Sequence, residues 1–188
     1  MSSKTTESTG ISLSSTYYLR KFYSNNRSAF KASTRSDTPA KELSHEDSLA
    51  LHRAAKALGS FHYSSSENKK NITSTIKAFL DTYNNTLDSA SNSGSRTLQR
   101  YSKQLKKLTS KYADELSDIG ITVKSDGTLK GNDNLLSKAD VAKLKKIFGK
   151  DSNYTSQLKS IGKHLSESSE DELYAQLTGN GSNINVTV

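Results

Sequence analysis

The chain has 188 residues, no cysteine, no tryptophan, one proline and a formal net charge of +8. Without cysteine there are no disulfides, no thiolate-held zinc and no thiol catalysis. Only 32% of residues are hydrophobic and mean hydropathy is -0.72, which is low for a compact globule and predicts an elongated helical protein with disordered ends.

In chain order, residues 1–15 are rich in Ser and Thr and predict disorder. Tyr17, Tyr18, Leu19, Phe22 and Tyr23 then cluster around Arg20 and Lys21. Such a knot docks on helices or, with its basic residues, stacks on bases. Residues 24–42 are polar, carry Pro39 and read as a linker, so that residues 1–43 form a largely disordered segment. Ser44 followed by His45, Glu46 and Asp47 predicts an N-cap with acids in the first turn, where the helix dipole favours them. The helix is expected over about 45–58, with Leu51, Ala54, Ala55 and Leu58 as its apolar stripe and Gly59 as its stop. His45 and His52 share one face, but neither has a ligand-type residue four positions on, and no metal site is expected.

After a serine-rich loop, Ile72, Ile76, Phe79, Leu80, Tyr83 and Leu87 predict a helix over about 68–90. Leu98, Tyr101, Leu105, Leu108 and Tyr112 follow alternating spacings of three and four, continued by Leu116 and Ile119. That narrow seam predicts packing against a helical partner, most simply the preceding helix in an antiparallel hairpin. Ile72, Ile76, Phe79, Tyr83 and Leu87 are then expected to face it.

Gly120 ends the third helix, and the period changes from helical to alternating. Ile121 and Val123 alternate with polar neighbours, Asp126-Gly127 marks a turn, and Leu129 resumes an extended pattern. A small β-hairpin at about 120–130 follows. Ser137 and Asp140 resemble a capping box for a fourth helix through Val141, Leu144, Ile147 and Phe148. A fifth helix, weakened by Gly162, is expected over about 151–165, closing a helical domain at 44–165. Residues 166–188 read as an acidic, flexible tail with a short helix near Leu173 to Leu177. The fold class is all-α, an antiparallel helical hairpin or bundle with one β-hairpin and disordered termini.

Catalytic chemistry leaves no trace. There is no Gly-x-Ser-x-Gly elbow, no phosphate loop and no His-Glu-x-x-His. Asp126-Gly127 with Asn132-Asp133-Asn134 lacks the ligand alternation and closing Glu of a calcium loop. No enzyme, cofactor or metal is expected, and this composition is expected to bury no pKa-shifted cluster. No segment approaches the roughly 20 apolar residues of a membrane span. The polar start of the chain predicts no cleaved secretory signal.

Three blocks carry a resemblance. The first is Ile76-Lys77-Ala78-Phe79-Leu80-Asp81-Thr82-Tyr83-Asn84-Asn85-Thr86-Leu87. The second runs from Leu116 through Asp118-Ile119-Gly120-Ile121-Thr122 to Asp126-Gly127-Thr128-Leu129, and the third from Val141 through Leu144 to Phe148-Gly149. In order and spacing they resemble the C-terminal region of the bacterial flagellar filament-capping protein, the hook-associated protein 2 family. The likeness covers about 72–149 and does not extend to the family's central domains. It implies a non-enzymatic, largely helical structural protein that associates with itself or with flagellar and surface proteins. It also implies signal-peptide-independent export to the flagellum or cell exterior; without it, a cytoplasmic location is the alternative.

Charge supports a different reading. Residues 151–188 carry two Lys/Arg against five Asp/Glu, so the positive excess lies earlier in the chain. Arg100, Lys103, Lys106, Lys107, Lys111, Lys143, Lys145 and Lys146 would serve a basic helical protein that binds nucleic acid or an acidic polymer.

Overall fold

A computed structural model describes residue 35, residues 38–63 and residues 69–179. The expectations for the Tyr17–Tyr23 knot, the Ser/Thr-rich start and the last nine residues lie outside these. Seven helices and one two-stranded sheet are found among the described residues.

Apolar residues recurring at helical spacing make four long helices. They are α1 (Ala40–Gly59), α2 (Lys69–Asn92), α3 (Arg96–Lys111) and, at the far end of the chain, α7 (Asn153–Gly179). Each packs antiparallel to its neighbours. Asp47 of α1 lies opposite Thr86 of α2, Ser91 of α2 opposite Ser102 of α3, and Tyr101 of α3 opposite His164 of α7. The ring closes where α7 returns along α1. The result is an up-down-up-down four-helix bundle. Between α3 and α7 the chain forms α4 (Ala113–Ser117), β1 (Ile121–Val123), β2 (Leu129–Gly131), α5 (Asp133–Lys138) and α6 (Val141–Phe148). The strands pair antiparallel, Val123 opposite Leu129 and Ile121 opposite Gly131.

The low apolar content is reconciled with a bundle by hydroxyls. Ser44, Ser48, Thr75, Thr82, Thr86, Ser89, Thr109 and Ser169 are buried beside the apolar core. Most satisfy themselves on their own helix. Ser48 Oγ donates to the Ser44 carbonyl at 2.6 Å, Thr86 Oγ1 to Thr82 at 2.7 Å and Ser169 Oγ to Leu165 at 2.8 Å. A hydroxyl bonded one turn back presents mainly carbon to the neighbouring helix. Among the described residues no buried side-chain polar atom lacks a partner.

Several local expectations are corrected. The first helix begins at Ala40, with Pro39 at the cap position and its carbonyl accepting from Leu43 N–H at 3.0 Å. Pro39 has φ -56°, already suited to a helix entry. Ser44 and Asp47 are therefore inside the helix, and both are buried. The Asp47 carboxylate serves no dipole. It takes a bidentate ion pair from Arg35 at 2.6 and 3.0 Å, which fixes a residue of the expected linker to the core. Burial raises the Asp47 carboxyl above the usual range, against the opposing pull of hydrogen bonds from Arg35 and Ser89.

The seam of α3 does not run on into Leu116 and Ile119 as one helix. It breaks at Tyr112, and both apolar residues are buried from the separate segment around α4. Nor do Ser137 and Asp140 form a capping box. Ser137 sits within α5, while the Asp140 carboxylate caps α6 by accepting from Ala142 N–H at 2.7 Å. Asn132, in the stretch reminiscent of a calcium loop, caps α5 through Asn134 and Leu135 N–H.

The largest correction is α7. Residues 166–179 continue one helix from Asn153, and Gly162, expected to weaken that helix, is a contact point. A Cβ there would stand 3.1 Å from the backbone nitrogen of His52, so its absence lets α1 and α7 approach closely. Ser166 and Ser169 are buried against α1. Glu172 reaches Lys41 at 3.5 Å and accepts a hydrogen bond from Ser95, the N-cap of α3. The acidic segment is held because its small face fits α1 and its carboxylate bridges two helix starts.

Leu105 is fully buried at the α2–α3 contact. Leu105→Asp should lose at least about 3 kcal/mol of stability, the cost of an unpaired buried carboxylate added to lost packing. An unchanged urea midpoint would contradict this packing. Removing Arg35 tests the second buried feature. Because burial already holds the Asp47 carboxyl above its unfolded value, stability from this group is present at low pH and lost as pH rises through its folded titration. Arg35→Ala should raise that titration further and cost about 3–5 kcal/mol near neutral pH. The difference from wild type should shrink on acidification as Asp47 takes a proton, and a constant difference would show that the pair is not coupled.

Candidate functional site

The expected helix-packing residues come together, but around more than one partner. Ile72, Ile76, Phe79, Tyr83 and Leu87 on α2 are buried, as are Leu98, Leu105 and Leu108 on α3. Tyr101 and Tyr112 are half-buried and turn toward α7. Tyr101 stacks on His164 at 6.3 Å between ring centroids, and Tyr112 tilts against Tyr154 at 5.1 Å. The α3 seam therefore serves α2 and α7 together, which a single heptad stripe does not announce.

One face of α2 gathers the rest of the fold. Phe79 meets Phe148 of α6 edge-on, 5.6 Å between centroids. Tyr83 Oη lies 3.3 Å from the Gly127 carbonyl in the hairpin turn and 3.4 Å from the Leu105 carbonyl of α3. Asn84 pairs with the outer edge of β2. Its Nδ2 donates to the Leu129 carbonyl at 2.9 Å, and its Oδ1 accepts from Leu129 N–H at 2.8 Å. One carboxamide thus satisfies both main-chain groups of a strand residue, as a neighbouring strand would. Burial pushes the Tyr83 phenol up to about 12, against a lowering hydrogen bond from Thr109. It remains a neutral hydrogen-bonding group across the physiological range.

The turn itself is built locally. Gly127 N–H donates to the Lys124 carbonyl at 2.9 Å, and Lys124 N–H to the Thr128 carbonyl at 2.8 Å. Gly120 and Gly127 have φ 86° and 87°, a region that L side chains rarely enter. Asp126 Oδ1 accepts from the Thr128 N–H and hydroxyl at 2.8 and 2.6 Å. These bonds hold its carboxyl below the usual range.

The basic residues fall into separate groups. Lys106 lies over the hairpin, its side-chain carbons against Gly127. Lys143 pairs with Asp118 at 2.8 Å, and with Lys146 lines a notch of about 130 Å³ beside Tyr112, Glu115 and Ile147. Lys145 lines an adjoining recess with Lys146, Gly149 and Lys150. Arg100 lies 5.5 Å from the Tyr101 ring centroid and Lys103 is exposed, while Lys107 and Lys111 border α7. His45 and His52 are interhelical staples, their Nδ1 atoms 3.1 and 2.9 Å from the Ser166 and Lys159 carbonyls. Among the described residues no group of three or more His, Cys, Asp or Glu is placed to hold a metal ion. No described helix is long and apolar enough to cross a membrane.

Nothing local in the sequence assigns Asn84 or Arg35 a role, and the shared face of His45 and His52 does not reveal the interhelical contacts that they make. Asn84 had one signal, its place after Tyr83 in the first of the three blocks. No protein-family model, curated protein or solved structure matches the chain.

Asn84→Ala orphans the Leu129 N–H and carbonyl and should cost about 2–4 kcal/mol. The loss should be local, with faster amide exchange at Leu129 and through the hairpin while α1 and α7 keep their protection. Unchanged exchange at Leu129 would mean that the clamp does not hold the strand.

Proposed function

We propose that this chain is a non-enzymatic structural or assembly protein related to the flagellar cap, acting by helix-mediated association with itself or with flagellar and surface proteins. One observation carries the reading. The three blocks that resemble the cap family meet on one face of α2. Phe79 contacts Phe148, Tyr83 approaches Gly127, and Asn84 holds Leu129. Residues far apart in sequence are thus parts of one contact, which is a physical reason for the blocks to occur together and in order.

On this reading the hairpin is a structural element. Its inner sides pair β1 with β2, and the outer side of β2 at Leu129 is held by Asn84. Association would then run through side-chain faces of the helices. The proposed location is the cell exterior or flagellum, reached without a cleaved signal peptide.

Export tests the proposal. A tagged copy expressed in its own cells should appear in culture medium and co-sediment with sheared filaments or other surface structures. Both should be lost when the flagellar export apparatus is disabled. Retention inside the cell regardless of that apparatus would refute the assignment.

A further inference from the structure

The bundle brings together lysines that are remote in sequence. Between α3 and α7 runs a groove of about 570 Å³, bordered by Lys107 and Lys111 on one side and by Gln157 and Ser160 on the other. Across α7, and sharing Ser160, a second groove of about 410 Å³ is bordered by Lys56, Lys159, Lys163 and His52. Among the described residues lining the two grooves none is acidic. Glu167, which approaches Lys163 at 3.4 Å, lies one turn further along α7, and both side chains are more than half exposed. Five lysines from three helices therefore flank one exposed ridge, although α7 as a whole is the acidic part of the chain.

Rings lie just beyond the residues that line the α3–α7 groove. Tyr101 and His164 stack at one end, with Arg100 beside Tyr101, and Tyr112 stands at the other with Lys111 5.7 Å from its centroid. The two tyrosines are eleven positions apart, about 16 Å at the rise of a helix. Along the floor, half-buried Ile161 and buried Leu108 supply apolar surface.

We propose that these adjoining grooves bind single-stranded nucleic acid, with the lysines along the phosphates and bases against the aromatic ends. A basic track with interspersed rings is the chemistry that single strands use, since every base has a face to stack. A duplex hides those faces, and an acidic peptide lacks them. The inference is independent of the assembly reading above and uses a different surface from the hairpin clamp.

The test is fluorescence anisotropy with a labelled oligothymidylate and the full chain. Binding is expected at low salt. Five neutralised phosphates imply a log–log salt slope of about -3.5, a loss of about a hundredfold between about 50 and 200 mM salt. Lys107→Glu with Lys159→Glu should weaken binding at least about tenfold by the same electrostatic logic. His164→Ala, at an exposed position, should weaken it about fivefold. Lys124→Glu with Lys130→Glu, a hairpin change of equal charge, should have a much smaller effect. Unchanged thermal unfolding would show that each variant is folded.

Absence of binding at low salt overturns the proposal. So does equal loss from the groove and hairpin charge reversals, which would indicate attraction to net charge alone. Polyglutamate or duplex DNA competing as well as the unlabelled strand, with His164→Ala unaffected, would assign the face to another polyanion and overturn the single-strand claim.

Discussion

The carboxamide of Asn84 is the interaction on which the arrangement of the smaller elements depends. A two-stranded hairpin is marginal alone, because each outer edge leaves main-chain groups without partners. Here α2 supplies the missing partner at Leu129. Tyr83, one residue earlier, lies within hydrogen-bonding distance of the turn at Gly127, and Phe79, one turn earlier, receives Phe148. A single helix face thereby orients the hairpin and α6, and α7 begins soon after. The long crossover between α3 and α7 is consequently an ordered layer against the bundle.

Packing within the bundle follows a second constraint. The chain is poor in large apolar residues, yet four long helices share a core. Small hydroxylated residues make this workable. Serines and threonines on α1, α2 and α7 bond to carbonyls of their own helices and need little from their neighbours. At Gly162 the side chain disappears and α7 lies against the backbone at His52. Close helix approach then compensates in contact for what is missing in side-chain volume. Polar contacts that cross between helices include His45 and His52 with α7 carbonyls, Thr86 with the Asp47 carbonyl, Ser91 with Ser102, Thr109 with Tyr154, and Glu172 with Lys41 and Ser95.

Charge is divided according to this geometry. The acidic residues of α7 lie near the starts of α1 and α3, where Glu172 closes the bundle. Lysines of α1, α3 and α7 converge nearer the opposite end, around Ser160. Arg35 and Asp47 are a separate case, an ion pair drawn into the interior. Such a pair specifies where Arg35 must lie more than it adds stability, since both partners give up water to form it.

By itself the sequence determined the helical stripes of α2 and α3 and where the period changes. The stripes at Ile72–Leu87 and Leu98–Tyr112 are local consequences of helical repeat, and the turn at Asp126-Gly127 is a local consequence of backbone freedom; both elements occur at those places. Tertiary structure alone decided the partners. A stripe shows that a face is buried and does not say against what, so Tyr101 and Tyr112 meet α7, where α2 had been the expected neighbour. The same holds for polar residues. Ser44 and Asp47 look like a helix start, and Gly162 like a weak point, until α1 and α7 lie together and Arg35 arrives. Capping signals are short-range and weak, about 1 kcal/mol each, and a long helix interface outweighs them. Asn84 and the lysines around Ser160 take their roles from residues distant in the chain, and no spacing in the sequence records that distance.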